Sequence, residues 1–216
     1  MTNLKRQRDD PRREATRDAL IDAAERLISE EGLEKTSTRQ IATAIGALNT
    51  NVVAYHFGSK DGLIQAVLHR RLPGIDARRG ALLAALDVRD ETPTILDLMT
   101  VFALPLFEQT GANGQHSFVR FLGALERSGK IAARGFVVGD YPQSERVTQL
   151  LVACLPPETR HEGHRRLRLV LSMLTTAIQM LDHDGVSPGN TRHMFENAIV
   201  MAAAAFGAPA AKELHS

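Results

Sequence analysis

Thr36-Ser37-Thr38-Arg39-Gln40-Ile41-Ala42, a turn at Gly46, then Tyr55-His56-Phe57-Gly58-Ser59-Lys60-Asp61-Gly62-Leu63 is the stretch that decides the fold. Ser37 followed three residues later by Gln40 is a capping box. The serine hydroxyl accepts from the backbone ahead while the glutamine reaches back, so a helix starts there. Ile41, Ala42 and Ile45 give this helix a buried face, and Gly46 stops it. Asn49 or Thr50 caps a third helix carrying Asn51, Val52, Val53, Tyr55 and His56. Ser59 caps a fourth, with Leu63, Ile64, Val67 and Leu68 on its inner side. Upstream, Leu20, Ala23, Ala24, Leu27 and Ile28 recur at helical spacing from Pro11 onward, and Gly32 ends that first helix. A longer helix followed by two short ones around a tight turn is a helix-turn-helix unit. Its last short helix, about two turns long, is of a size to enter a DNA major groove.

Outward from this unit the pattern stays helical. Pro73-Gly74 is expected to kink or break the fourth helix, with Ile75 to Leu86 helical again. Ile95 to Phe107 is apolar nearly all round, as in a helix enclosed on every side. Its 13 residues, interrupted by Asp97 and Thr100, fall short of the roughly 20 that span a membrane. Phe118, Phe121, Leu122 and Leu125 define another helix, and 131–142 reads as a loop in which Phe136-Val137-Val138 is a candidate extended piece. Further helices are expected from Glu145 to Leu155, from Glu158 to about Asp182, and from Pro188 to Phe206. The expected architecture is all-α, in three parts. These are a disordered basic arm at 1–10, a three-helix DNA-binding unit at 11–72, and a larger helical effector-binding and dimerisation domain at 73–216.

The composition fits. Aromatics are scarce at 5% and there is no Trp, while Ala, Leu and Arg abound, which favours helices over sheets. The net charge of +1 hides a local excess: between Met1 and Arg17, six basic residues (Lys5, Arg6, Arg8, Arg12, Arg13, Arg17) face three acidic ones (Asp9, Asp10, Glu14). An arm of that sign leading into a DNA-binding unit suits phosphate contacts. One cysteine, Cys154, excludes an internal disulfide framework; it fits a reducing cytoplasm and reads as packing filler. The charged N-terminus lacks the apolar segment of a signal peptide. His161 and His164 lie three apart but without an accompanying ligand set, and no nucleophile elbow, phosphate loop or dinucleotide fingerprint occurs. No enzyme, metal site or cofactor is expected.

The run from Thr36 to Ala42, the turn at Gly46 and the Tyr-His-Phe-Gly-Ser-Lys segment resemble the TetR family of one-component bacterial transcriptional regulators, over roughly Thr16 to Leu72. From Ile41 to Phe57 the pattern takes seventeen residues, one more than its commoner version, with the extra residue in the turn Gly46-Ala47-Leu48-Asn49. Ala54 stands where many members carry the first aromatic of the recognition helix. The resemblance implies phosphate-facing roles for Tyr55, His56 and Lys60. Thr38, at a helix N-terminus, is a further phosphate anchor, beside Arg39. Thr50, Asn51 and Val52 are the candidates for base edges, and Arg12 and Arg13 for the flanking backbone.

In the body, Leu98, Phe102, Leu106, Phe118, Phe121, Leu122, Met173, Thr176 and Met180, with His116, are the candidate lining of an apolar effector pocket. An ordinary filled core is the competing reading for each of them. The helix from Glu158 has two apolar faces, one of Leu167, Val170, Leu171, Leu174, Ile178 and Leu181, the other of Leu169, Met173, Thr176 and Met180. With Phe195, Ile199 and Ala202 of the last helix, the first face is expected to form a two-fold four-helix dimer interface. The expected protein is a cytoplasmic homodimer that binds a near-palindromic operator in duplex DNA and is released by a small molecule. An activating or ligand-independent regulator is the alternative, and further off a helical small-molecule-binding or enzymatic body with an incidental DNA-binding head.

Overall fold

A 21-residue helix, α1 (Pro11–Glu31), buries Leu20, Ile21, Ala23, Ala24, Leu27 and Ile28 along one side. The computed structural model describes residues 11–111, 114–130, 141–183 and 188–210. The basic arm at 1–10 and most of the expected loop, 131–140, lie outside the described residues. α1 ends at Gly32, whose φ of 89° is a left-handed conformation that glycine adopts without a Cβ penalty. Two short helices follow, α2 (Thr38–Ala44) and α3 (Val52–Phe57).

The fourth helix, α4 (Lys60–Asp87), is where expectation fails: it runs unbroken for 28 residues with Pro73 inside it. A proline removes one backbone hydrogen bond. Here Leu63, Ile64, Val67 and Leu68 before it and Ile75, Leu83 and Leu86 after it are buried in the same core, which holds both halves in one helix. The boundary expected at 72/73 therefore falls inside one helix shared by head and body.

The body comprises α5 (Ile95–Phe107), α6 (Ser117–Arg127), α7 (Pro142–Ala153), a 3₁₀ turn at Arg160–Glu162, α8 (Gly163–His183) and α9 (Pro188–Phe206). α5 starts at a second capping box, Thr94 with Asp97. It is less enclosed than its sequence suggests, for Leu96 is exposed. Cys154 is an exposed residue at the C-cap of α7 rather than packing filler, because only Val147 and Leu151 of that helix are fully inward. α1 packs on α6 and α4, α5 on α9, α4 and α7, and α8 on α9 and α6. One apolar cluster runs from Leu20 to Phe206, so head and body share a core. Among the described residues no helix is long and apolar enough to cross a membrane.

Candidate nucleic-acid interface

The α2–α3 corner is built by local polar chemistry. The Ser37 backbone N–H donates to Gln40 Oε1 at 2.7 Å, and the Gln40 N–H donates to Ser37 Oγ at 3.1 Å, so the expected capping box is formed. Gly46 turns the chain at φ 71°. Asn49 does not cap α3 directly; its Oδ1 accepts from the Asn51 N–H at 2.9 Å, folding the turn on itself. α3 begins at Val52 with Asn51 in the N-cap position, and the Asn51 side chain makes no capping bond. It is exposed, as are Thr50 and Tyr55, while Val52 is half-buried and Val53 anchors α3 in the core. The candidate base-reading residues thus share one outward end of a helix held by its inner valine.

Basic groups from α1 gather beside this end. The Arg13 guanidinium lies 5.5 Å from the Tyr55 ring centroid, and that of Arg17 5.3 Å from Phe57. Partial burial first, and the Arg13 and Arg17 cations second, hold the His56 imidazole below its usual pKa. Arg12 and Arg39 are exposed, and Thr38 is half-buried at the first turn of α2. Arg17 had a readable signal, since it sits one helical turn after Arg13 on the same side of α1. Leu48, in the turn before α3, is fully exposed and had none beyond being apolar in a polar loop.

Lys60 departs from its expected role. Its Nζ donates to the Leu33 carbonyl, tying the start of α4 to the α1–α2 turn, and burial depresses its pKa. Gly62 is tighter still: a Cβ there would lie 2.1 Å from the Phe57 carbonyl oxygen. No other residue fits that approach of α3 to α4.

A buried carboxylate links this head to the body. Glu25 of α1 receives two hydrogen bonds from Arg71 of α4, at 2.9 and 2.8 Å, and one from Ser117 Oγ at the start of α6, at 2.6 Å. The neighbouring His116 is also buried. Its backbone N–H donates to Asp182 Oδ2 of α8 at 2.9 Å, its Nδ1 lies 2.7 Å from Oδ1, and Phe107 stacks on its ring. A second buried set ties α4 to α7. Asp76 accepts from the Ser144 N–H and hydroxyl, each at 2.7 Å, and Arg79 donates to Ser144 Oγ and to the Phe102 carbonyl. Burial pulls the Arg79 pKa down to about 10.

The candidate pocket residues do not all come together. Leu98, Leu106, Phe118, Phe121 and Leu122 are packed in the core, with Phe102 and Met173 half-buried against it. Thr176 and Met180 are exposed on the outside of α8. The expected dimer face is corrected likewise. Leu167, Val170, Leu174 and Ile178, with Phe195, Ile199 and Ala202 of α9, are buried within the chain, and Leu171 is half-buried against the core. α8 packs this face on α9 and α6 of its own chain, so these residues are closed to a partner. Its other apolar face turns outward.

Residues 20–67 match the profile of "Bacterial regulatory proteins, tetR family". The regulator BetI of Burkholderia thailandensis, an HTH-type transcriptional regulator, is 40% identical over 60 residues, which cover 28% of this chain and 30% of that protein. BetI of Burkholderia cenocepacia matches to the same extent. The matched stretch thus spans less than a third of these relatives. A crystal structure of a TetR-family regulator from Mesorhizobium loti overlays 92% of this chain and all of its own at 13% identity, with a TM-score of 0.49. The multidrug binding protein EbrR overlays 97% of this chain and all of its own at 21% identity and the same TM-score. Over residues 20–67, the head of this chain is similar to the tetR family of bacterial regulatory proteins.

Proposed function

We propose that this chain is a homodimeric transcriptional regulator that reads a near-palindromic DNA site and releases it when a small molecule binds in the body. The observation that carries the reading is the α2–α3 corner, where Thr50, Asn51 and Tyr55 are exposed, Arg13 lies over Tyr55 and Arg17 over Phe57, and Arg39 is exposed on α2. Phosphate contacts from the arginines set register, and α3 reads base edges. Val52 is in reach of a thymine methyl, and His56, held neutral, donates one hydrogen bond to a phosphate.

The dimer uses the outward faces of α8 and α9. Of the nine large apolar side chains exposed among the described residues, five lie there: Leu169, Met180, Met194, Val200 and Met201. Such a patch needs a partner, and a second copy supplies the two-fold symmetry that inverted half-sites require. The effector site lies in the body near His116, whose buried Nε2 has no hydrogen-bond partner among the described residues and offers a polar handle beside Phe107. From there Asp182, His116, Ser117 and Glu25 lead to α1 and α4.

Selection of bound duplexes from a random pool tests the reading. Inverted repeats should emerge, with affinity falling steeply as salt rises. Asn51→Ala should relax one position in each half-site, and Arg39→Ala should weaken all sequences alike. A pool without any enriched motif would overturn the proposal.

A further inference from the structure

A cleft of about 390 Å³ opens between the C-terminal end of α1, α6 and the last turns of α8, with no residue of α3 in its lining. Ser29 and Glu30 of α1, Arg120 and Arg127 of α6, and Gln179 and Asp182 of α8 line it. Its volume lies in the range of small-molecule sites.

The charges in this cleft are unevenly matched. Both Asp182 oxygens are engaged by His116, and Glu30 pairs with Arg26 at 3.4 Å. Arg120 and Arg127 have no hydrogen bond or ion pair among the described residues. They sit seven residues apart on one side of α6, about 10 Å along its axis. Gly123 lies between them, and its missing side chain lets Gln179 and Arg127 pack close against the helix. The point where its Cβ would stand is 3.0 Å from Gln179 Nε2 and 3.3 Å from Arg127 Nη1. Two N–H donors from different helices therefore lie close together over Gly123. A guanidinium and an amide aimed together suit a carboxylate or phosphate oxygen. Ser29 and Glu30 lie about 20 Å along α1 from Arg13 and Arg17, so a duplex on α3 does not supply that oxygen.

We propose that this cleft binds a small organic dianion, with one carboxylate or phosphate on Arg127 and Gln179 and the other on Arg120. Bound there, the ligand bridges the head helix α1 to α6 and α8 and stabilises their junction. The site is independent of DNA binding: a chain that bound no operator would still bind the dianion here.

Titration calorimetry on the full chain at low salt tests this, with adipate, citrate and pyrophosphate as probes and acetate as the single-charge control. At least one dianion should bind tenfold or more tightly than acetate. Arg120→Gln and Arg127→Gln should each weaken it at least tenfold without altering the unfolding temperature of the ligand-free protein. Gln179→Leu is read in place of either arginine variant should that variant fail to fold. Arg39→Gln, on the DNA-binding surface, should leave the affinity unchanged. Dianions no better than acetate, or an affinity lost in Arg39→Gln and kept in Arg120→Gln, would overturn the proposal.

Discussion

Head and body of this protein are held in shape by different kinds of interaction. From Ser37 to Gly62 the turns and helix starts are set by bonds that close within a few residues: a capping box, an asparagine-folded turn, a serine cap on α4, and glycines at positive φ. Only at the start of α4 do longer bonds join in, from Lys60 to Leu33 and from Lys130 to Asp61. In the body the decisive contacts join residues far apart in sequence. Glu25 meets Arg71 and Ser117, Asp76 meets Ser144, and His116 meets Asp182. Locally closed structure keeps its form when moved as a unit. Structure closed at long range changes when any one of its helices shifts. The head is suited to carry a fixed surface, and the body to register whether something is bound.

The sharpest way to break this contrast is on α8, where adjacent faces have opposite duties. Ile178→Glu would bury an unpaired charge in the core and should cost several kcal/mol, unfolding the body. Met180→Glu, two residues on and exposed, should leave the fold intact and yield a monomer in sedimentation. Equal effects of the two would show that the inward and outward faces are misassigned. Next in size, Asp76→Ala leaves Arg79 buried without its charge partner and should cost about 3–5 kcal/mol in urea unfolding. A loss below about 1 kcal/mol would mean that the α4–α7 contact does not depend on it.

Ser37→Ala tests the local side of the comparison. It should cost about 1 kcal/mol and raise amide exchange in α2 alone, with the body unchanged. The smallest effect is on pH. The His56 pKa is lowered in the folded head, so the unfolded chain takes up its proton first as pH falls. The stability due to neutral His56 is present above the ordinary imidazole pKa and declines as pH drops through it. Thermal melts at pH 7.5 and 5.5 should differ slightly less in His56→Gln than in the parent protein.

The same contrast explains what could be read from the sequence. Ser37 with Gln40, Ser59, and Gly32, Gly46 and Gly58 announce themselves because their partners are neighbours. The two faces of α8 could not be ranked that way: Leu174 with Ile178 and Leu169 with Met180 are equally apolar, and only the position of α9 and α6 decides which turns inward. Pro73 looks like a break until the cores on either side of it are seen to be one. Glu25, Asp76 and Arg79 look like surface charges, since their hydrogen-bond partners lie between 23 and 92 residues away. Lys60 looks like a phosphate ligand, but the Leu33 carbonyl that holds it belongs to a turn 27 residues earlier.

Gly62 carries one consequence beyond stability. The Phe57 carbonyl fills the space where the Gly62 side chain would stand, so the end of α3 lies in close contact with the start of α4. In the proposed dimer, a change in the body would reach α3 through α4, so the adjustable quantity would be the distance between the two α3 helices. Operator half-sites moved apart by a base pair or two would test that distance directly: an effector that widens the pair should weaken binding to the natural spacing while favouring the longer one, with the preferred bases unchanged.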